Sequence, residues 1–135
     1  MNRAIELHDS RIKLVIPDGE NTTIELEPAY LHESQGTPGV DSGAGYLQNV
    51  HIQLSGSQIH SAAFDLPARI NQASIVLSDR MYDNIVNLPL IHVGNIEVNL
   101  RTENGEHLKV TARRVMAVLI GERKPLEKFN HGAAP

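Results

Sequence analysis

Ile96-Glu97-Val98-Asn99-Leu100-Arg101, then Glu103-Asn104-Gly105-Glu106, then Leu108-Lys109-Val110-Thr111-Ala112, reads as a strand, a turn and a strand. Apolar residues alternate with polar ones at a period of two, as in a strand with one face buried, and Asn-Gly is the strongest short hairpin dipeptide. The same pattern recurs upstream. Arg11-Ile12-Lys13-Leu14-Val15-Ile16 has apolar even positions, Pro17-Asp18-Gly19-Glu20-Asn21 supplies turn chemistry, and Thr22-Thr23-Ile24-Glu25-Leu26-Glu27 sets Ile24 and Leu26 against Glu25 and Glu27. A third strand is expected over Val50-His51-Ile52-Gln53-Leu54, starting near Tyr46, with Val50, Ile52 and Leu54 inward.

Shorter strands are expected at 73–77 and 85–88, on either side of the polar stretch 78–84. Val115-Met116-Ala117-Val118-Leu119-Ile120 is apolar on both faces and rich in β-branched residues, which favours a strand buried on both sides. Helix is confined to one short turn within 62–72, because Pro67 is tolerated only in a first turn. Seven to nine short strands at hairpin spacing make an all-β, antiparallel β-sandwich or partly open β-barrel. At 135 residues the chain holds one domain, expected over 1–121, with 122–135 as an exposed extension that loses periodicity.

Composition excludes several functions. With no Cys, a disulfide scaffold, a thiolate nucleophile, an iron–sulfur cluster and a sulfur-ligated zinc site are all ruled out. A net charge of −4 argues against a general nucleic-acid binder, whose affinity rests on cations facing phosphate. The N-terminus reaches polar and acidic residues within nine positions, and the longest apolar run is far short of the roughly 20 residues that cross a bilayer, so a cytoplasmic protein without membrane contact is expected. Charge is nevertheless uneven. Residues 14–68 contain seven acids and no Lys or Arg, whereas from Arg69 onward nine bases face seven acids. The two halves could offset one another across the sheet, or the acidic half could present a face to a cation or a basic partner.

Seven histidines are the one compositional excess, and none falls in an HExxH arrangement. His51, His60, His92 and His107 are scattered, and His131 sits in a Gly- and Ala-rich tail. His8-Asp9 and His32-Glu33 differ, because a hairpin of the first two strands brings both pairs toward its open end. Two imidazoles and two carboxylates suit a divalent cation such as Zn²⁺, or an acid–base pair. The loop 34–45, with four Gly and one Pro, begins just after, and its Asp41 could complete the set. Gly39 and Gly43 are the positions where backbone could approach a ligand closely. The loop lacks a GK[ST] ending and has no base beside it in sequence, so it is not a phosphate cradle, and no GxSxG nucleophile elbow occurs anywhere.

Leu7-His8-Asp9-Ser10-Arg11-Ile12, Leu26-Glu27-Pro28-Ala29-Tyr30-Leu31-His32 and Pro38-Gly39-Val40-Asp41-Ser42-Gly43-Ala44-Gly45-Tyr46-Leu47-Gln48-Asn49 together resemble a family of small bacterial proteins without assigned function. The His8-Asp9-Ser10 opening is also similar to some immunity proteins of bacterial toxin systems. Neither resemblance implies a catalytic residue; both direct attention to His8-Asp9 and to 38–49.

The leading expectation is a non-catalytic binding or interaction module that uses His8, Asp9, His32, Glu33, Gly39, Asp41 and Gly43 and needs no cofactor. The alternative is a divalent-metal protein or metal-dependent enzyme with His8, Asp9, His32, Glu33 and Asp41 as the donor set. Expected partners are a second copy, most simply in a C2 dimer, and a protein or small cationic ligand, since unprotected edge strands and the 115–120 run both ask for cover.

Overall fold

A computed structural model describes residues 1–61 and 65–129, the last three as backbone only. Ten strands account for about three quarters of it, and no helix occurs among the described residues. They are β1 (Asn2–Glu6), β2 (Arg11–Asp18), β3 (Asn21–Ser34), β4 (Gly43–Ser55), β5 (Gln58–Ile59), β6 (Ala68–Leu77), β7 (Arg80–Asp83), β8 (Ile85–Leu88), β9 (Ile91–Thr102) and β10 (His107–Phe129). Every pairing is antiparallel.

Following the pairings β2-β6-β9-β10-β4-β3 returns to β2, because β2 also pairs with β3. The ring is closed on one side by only two residue pairs, Arg11↔Arg69 and Ile12↔Ala68. It is therefore not a clean barrel, and the arrangement fits a sandwich or a partly open barrel, with β1 and β8 added beyond the second half of β3, β7 beside β6, and β5 beside β10. Alternation fills it as expected: Ile24, Leu26, Val50, Ile52, Leu54, Val98, Leu100, Leu108 and Val110 belong to one buried cluster. The 96–112 hairpin forms with Leu100↔Leu108 and Val98↔Val110 in register. Burial of branched aliphatics at this density is the main stabilising term, each fully buried Leu, Ile or Val contributing about 1.5–3 kcal/mol.

Several elements depart from expectation, each for a local reason. In β2, a register shift between Ile12 and Leu14 moves the alternation by one residue. Ile12 stays inside, Leu14 and Ile16 turn outward at 44% and 41% exposure, and Val15 packs on the core in their place. The one turn of helix expected within 62–72 is corrected over its described later part: Ala68 and Ile70 are buried, Arg69 and Asn71 are exposed, and Ala68–Leu77 is a strand. Residues 62–64 lie outside the described set. The 115–120 run is not buried on both sides. Val115 alone is fully enclosed and 116–120 are half-buried, because Ala117 and Leu119 pack on the core while Met116 and Val118 take the other face of a one-sided strand. Residues 121–126 are exposed and continue β10: Lys124 pairs with Leu47 and Pro125 with Tyr46.

At about 3.4 Å per residue, a 23-residue strand would reach about 75 Å if straight, far more than a domain of this size can hold. β10 therefore bends. Its first half pairs with β9 and β5, its second half with β4, and the register shifts at Ala112/Arg114, Ile120/Lys124 and Pro125/Glu127.

Candidate functional site

The turn between β1 and β2, residues 7–10, is pinned from several sides. Leu7 is fully buried, its N–H donates to the Asn84 carbonyl (2.8 Å), and the His8 N–H donates to Asn84 Oδ1 (2.5 Å). Asp9 adopts φ 72°, a left-handed conformation that Asp tolerates better than most residues, and its N–H donates to the Ile70 carbonyl (3.0 Å). Ser10, 1% exposed, is bonded through both side chain and backbone: Oγ donates to the Glu6 carbonyl (2.6 Å) and accepts from the Tyr30 N–H (2.9 Å), while its carbonyl accepts from the Ile70 N–H (2.8 Å). Backbone is thereby consumed on the inside, and the His8 and Asp9 side chains are left facing solvent on a rigid support.

β1 pairs with the second half of β3, placing Ala4 opposite His32 and Glu6 opposite Tyr30. Glu6 is thus set between the two histidine pairs. His8 Nδ1 lies 3.1 Å from Asp9 Oδ2, and His32 Nε2 lies 3.4 Å from Glu6 Oε1. Glu6, His8 and Asp9 each offer a donor atom within 4.8 Å of the others. Exposure falls steeply across the set, from half-open Asp9 and His8 through Glu6 to a His32 side chain only 7% exposed. His32 is held by the Tyr30 ring, 5.0 Å away, and by Gly39, where an added Cβ would stand 3.7 Å from His32 Cδ2 and 2.9 Å from Ile85 Cδ1. The expected loop 34–45 is shortened to 35–42, because Ser34, Ala44 and Gly45 are drawn into the β3–β4 ladder with Gly43, and this loop reaches the site through the backbone of Gly39.

Other expected members are placed elsewhere. Glu33 points away from Glu6 and His8 into an ion pair with Arg123 (2.6 Å), whose guanidinium lies 4.4 Å over the Tyr46 ring. This contact joins the acidic and basic halves of the chain. Asp41 folds back on its own loop, Oδ2 accepting from the Thr37 N–H (2.6 Å). Gly43 opens β4 opposite Ser34, against the Glu33 backbone. The loop also has a cation beside it that its neighbours in sequence do not reveal: Arg3, brought by β1, lines a cleft of about 300 Å³ with Gly36, Thr37 and Pro38. Glu6 is the member that sequence reading passes over, although its place two residues before His8 was a usable signal. Asn84, which carries the turn, lies in the polar stretch 78–84 and gave none.

A second group, Glu25, Glu27 and His51, also gathers donors within 4.8 Å, on the outer face of β3 and β4. Its Glu27 is engaged by the Lys13 ammonium at 3.4 Å, a cation that competes for the same lone pairs. Of the remaining histidines, His60 bonds Thr111 (2.7 Å), His92 bonds Ser78 (2.9 Å) and His107 bonds Asn99 (3.1 Å), while His131 lies outside the described residues. A larger cavity, about 620 Å³, lies around Gly56, Ser78, Asn95 and Thr111 and includes none of the expected site residues. No helix among the described residues is long and apolar enough to cross a membrane.

Compared with family models, with curated proteins and with solved structures, the chain gives no match.

Proposed function

We propose that the protein is a non-catalytic binding module whose site is Glu6, His8, Asp9 and His32, and whose ligand is a divalent transition cation of the Zn²⁺ type. The observation that carries this reading is the convergence of Glu6, His8 and Asp9 donor atoms within 4.8 Å, with Glu6 also 3.4 Å from the enclosed His32 ring. Imidazole and carboxylate together match the ligand preference of borderline cations, and a backbone fixed by Asn84, Ser10 and Ile70 spares the ligand the cost of ordering the turn.

Zinc titration of untagged protein by calorimetry tests the reading. The expected result is one ion per chain, with affinity falling as the solution is made more acidic, because protons compete with the metal for its donor atoms. His8→Ala combined with Asp9→Asn should abolish binding, Asn being chosen because it tolerates the left-handed φ. His51→Ala should leave the stoichiometry unchanged. His32 is a poorer probe, since its enclosed ring also packs against Tyr30 and Gly39. Absence of binding, or binding that survives the double variant and is lost in His51→Ala, overturns the assignment.

A further inference from the structure

The cavity of about 620 Å³ opens where neighbouring strands lose their regular pairing at one level. Ala112 of β10 pairs with Ile96 and Arg114 with Val93, so the single Arg113 faces two residues of β9, Gly94 and Asn95, in a bulge. On the other side of β10, β4 ends with Ser55 opposite Arg114, and the chain reverses through Gly56 and Ser57 into β5, whose Gln58 pairs with Thr111. Gly56, at φ 59°, leaves room for the Arg113 stem, since an added Cβ there would stand 3.1 Å from Arg113 Cγ. The turn between β2 and β3 is drawn in beside it, the Glu20 carbonyl accepting from both the N–H (2.8 Å) and the Oγ (2.9 Å) of Ser57. Arg113 and Glu20, far apart in sequence, thereby line one cavity.

Two opposite charges share this cavity without neutralising each other. Among the described residues, none pairs with or hydrogen-bonds the Arg113 guanidinium, the Glu20 carboxylate or the Asn95 side-chain amide. Glu97, the other carboxylate of the lining, is engaged already by the Asn99 amide (3.0 Å) and the Lys109 ammonium (3.2 Å). We propose that the cavity binds a small zwitterion, its carboxylate received by Arg113 and Asn95 and its ammonium by Glu20. The guanidinium fork matches a carboxylate in two parallel hydrogen bonds, and Asn95, across the bulge from Arg113, offers a further N–H donor. A ligand with one charge would leave the opposite charge of the cavity unanswered, whereas a zwitterion answers both. Val76, Ile96 and Ala112 supply apolar wall, which favours an apolar side chain on the ligand, and the volume lies within the range of about 300–1,000 Å³ that small-molecule sites occupy. A free amino acid and a dipeptide share this chemistry. The cavity has no residue in common with the proposed cation site, so neither reading depends on the other.

Amide chemical-shift titration of the full chain with L-leucine and with L-leucyl-L-leucine, each up to about 10 mM, tests the proposal, the range reaching weakly bound small ligands. Saturable shifts should centre on Ser57, Asn95 and Arg113, and the tighter of the two ligands identifies the source. N-acetyl-L-leucine, which lacks the ammonium, and L-leucine amide, which lacks the carboxylate, should each bind about tenfold more weakly or worse, one charge-assisted contact being lost in each. Arg113→Gln should weaken the zwitterion by a similar factor, and Glu20→Gln should remove the preference for leucine over its N-acetyl form. Arg114→Gln, one position away and outside the lining, should leave the affinity unaltered. Thermal melts verify that the three variants fold, as expected for exposed positions. No saturable shift with either zwitterion, binding indifferent to Arg113→Gln, or N-acetyl-L-leucine bound as tightly as leucine would each overturn the assignment.

Discussion

Gly39 shows how much of the site depends on one absent side chain. Its φ is 82°, and a Cβ there would come within 2.9 Å of Ile85 Cδ1 while lying against the His32 ring. Gly39→Ala should therefore cost about 1–2 kcal/mol in denaturant unfolding, from the left-handed conformation alone, with a further penalty if Ile85 cannot yield. Unchanged stability would mean that the loop does not clamp His32. From sequence, Gly39 stands out only as a place where backbone can approach a ligand, because the clamp it forms depends on Ile85, a neighbour from β8. The same holds for Glu6. His8, Asp9 and His32 could be grouped by assuming a simple hairpin, whereas Glu6 joins them only once β1 is known to lie beside the second half of β3. Asp41 was misplaced for the converse reason: a local bond to Thr37, four residues away, satisfies it before any distant partner can.

Among the elements, β9, the second half of β4 and the first half of β3 were legible because their alternation is regular and each buries a single face, whereas the first half of β4 breaks the alternation and was read as loop. β2 was legible as a strand, yet the face it presents was not, since one bulged residue inverts every position after it. The seam between β2 and β6 leaves no periodic trace, being two residue pairs long. It is extended by the two backbone bonds linking Asp9 and Ser10 to Ile70, so the candidate site stands on the weakest join of the ring. Amide hydrogen exchange should show Ile12 and Ile70 exchanging faster than Ile24 and Ile52, which lie in the long β3–β4 ladder. Added Zn²⁺ should slow the seam selectively, because binding to Glu6, His8 and Asp9 stabilises the turn that forms it. Uniform protection across both ladders would count against a weak seam.

For the molecule as a whole, fold class followed from many small, repeated signals that agree with one another. The pairing of β10 with two separate groups of strands followed from none of them. An apolar run at 115–120 says that a strand is there, but which strands flank it depends on where the bend at Arg113 directs it. Surface function is harder still to read. Lateral neighbours such as Leu14, Glu25, His51 and Val118 on β2, β3, β4 and β10 come from positions more than a hundred residues apart, and they acquire a pattern only when the registers are known.

Sharing β10 has a thermodynamic consequence. A barrel split between two independent strands could melt in stages, one group opening while the other persists. Here any transition that frees β9 and β6 strips the first half of the strand that also holds β4, and loss of β4 unmoors β3, β1 and β8 in turn. Scanning calorimetry at dilute concentration should give one peak whose van't Hoff and calorimetric enthalpies agree. Two resolved peaks would show that the bend at Arg113 uncouples what the continuous backbone joins.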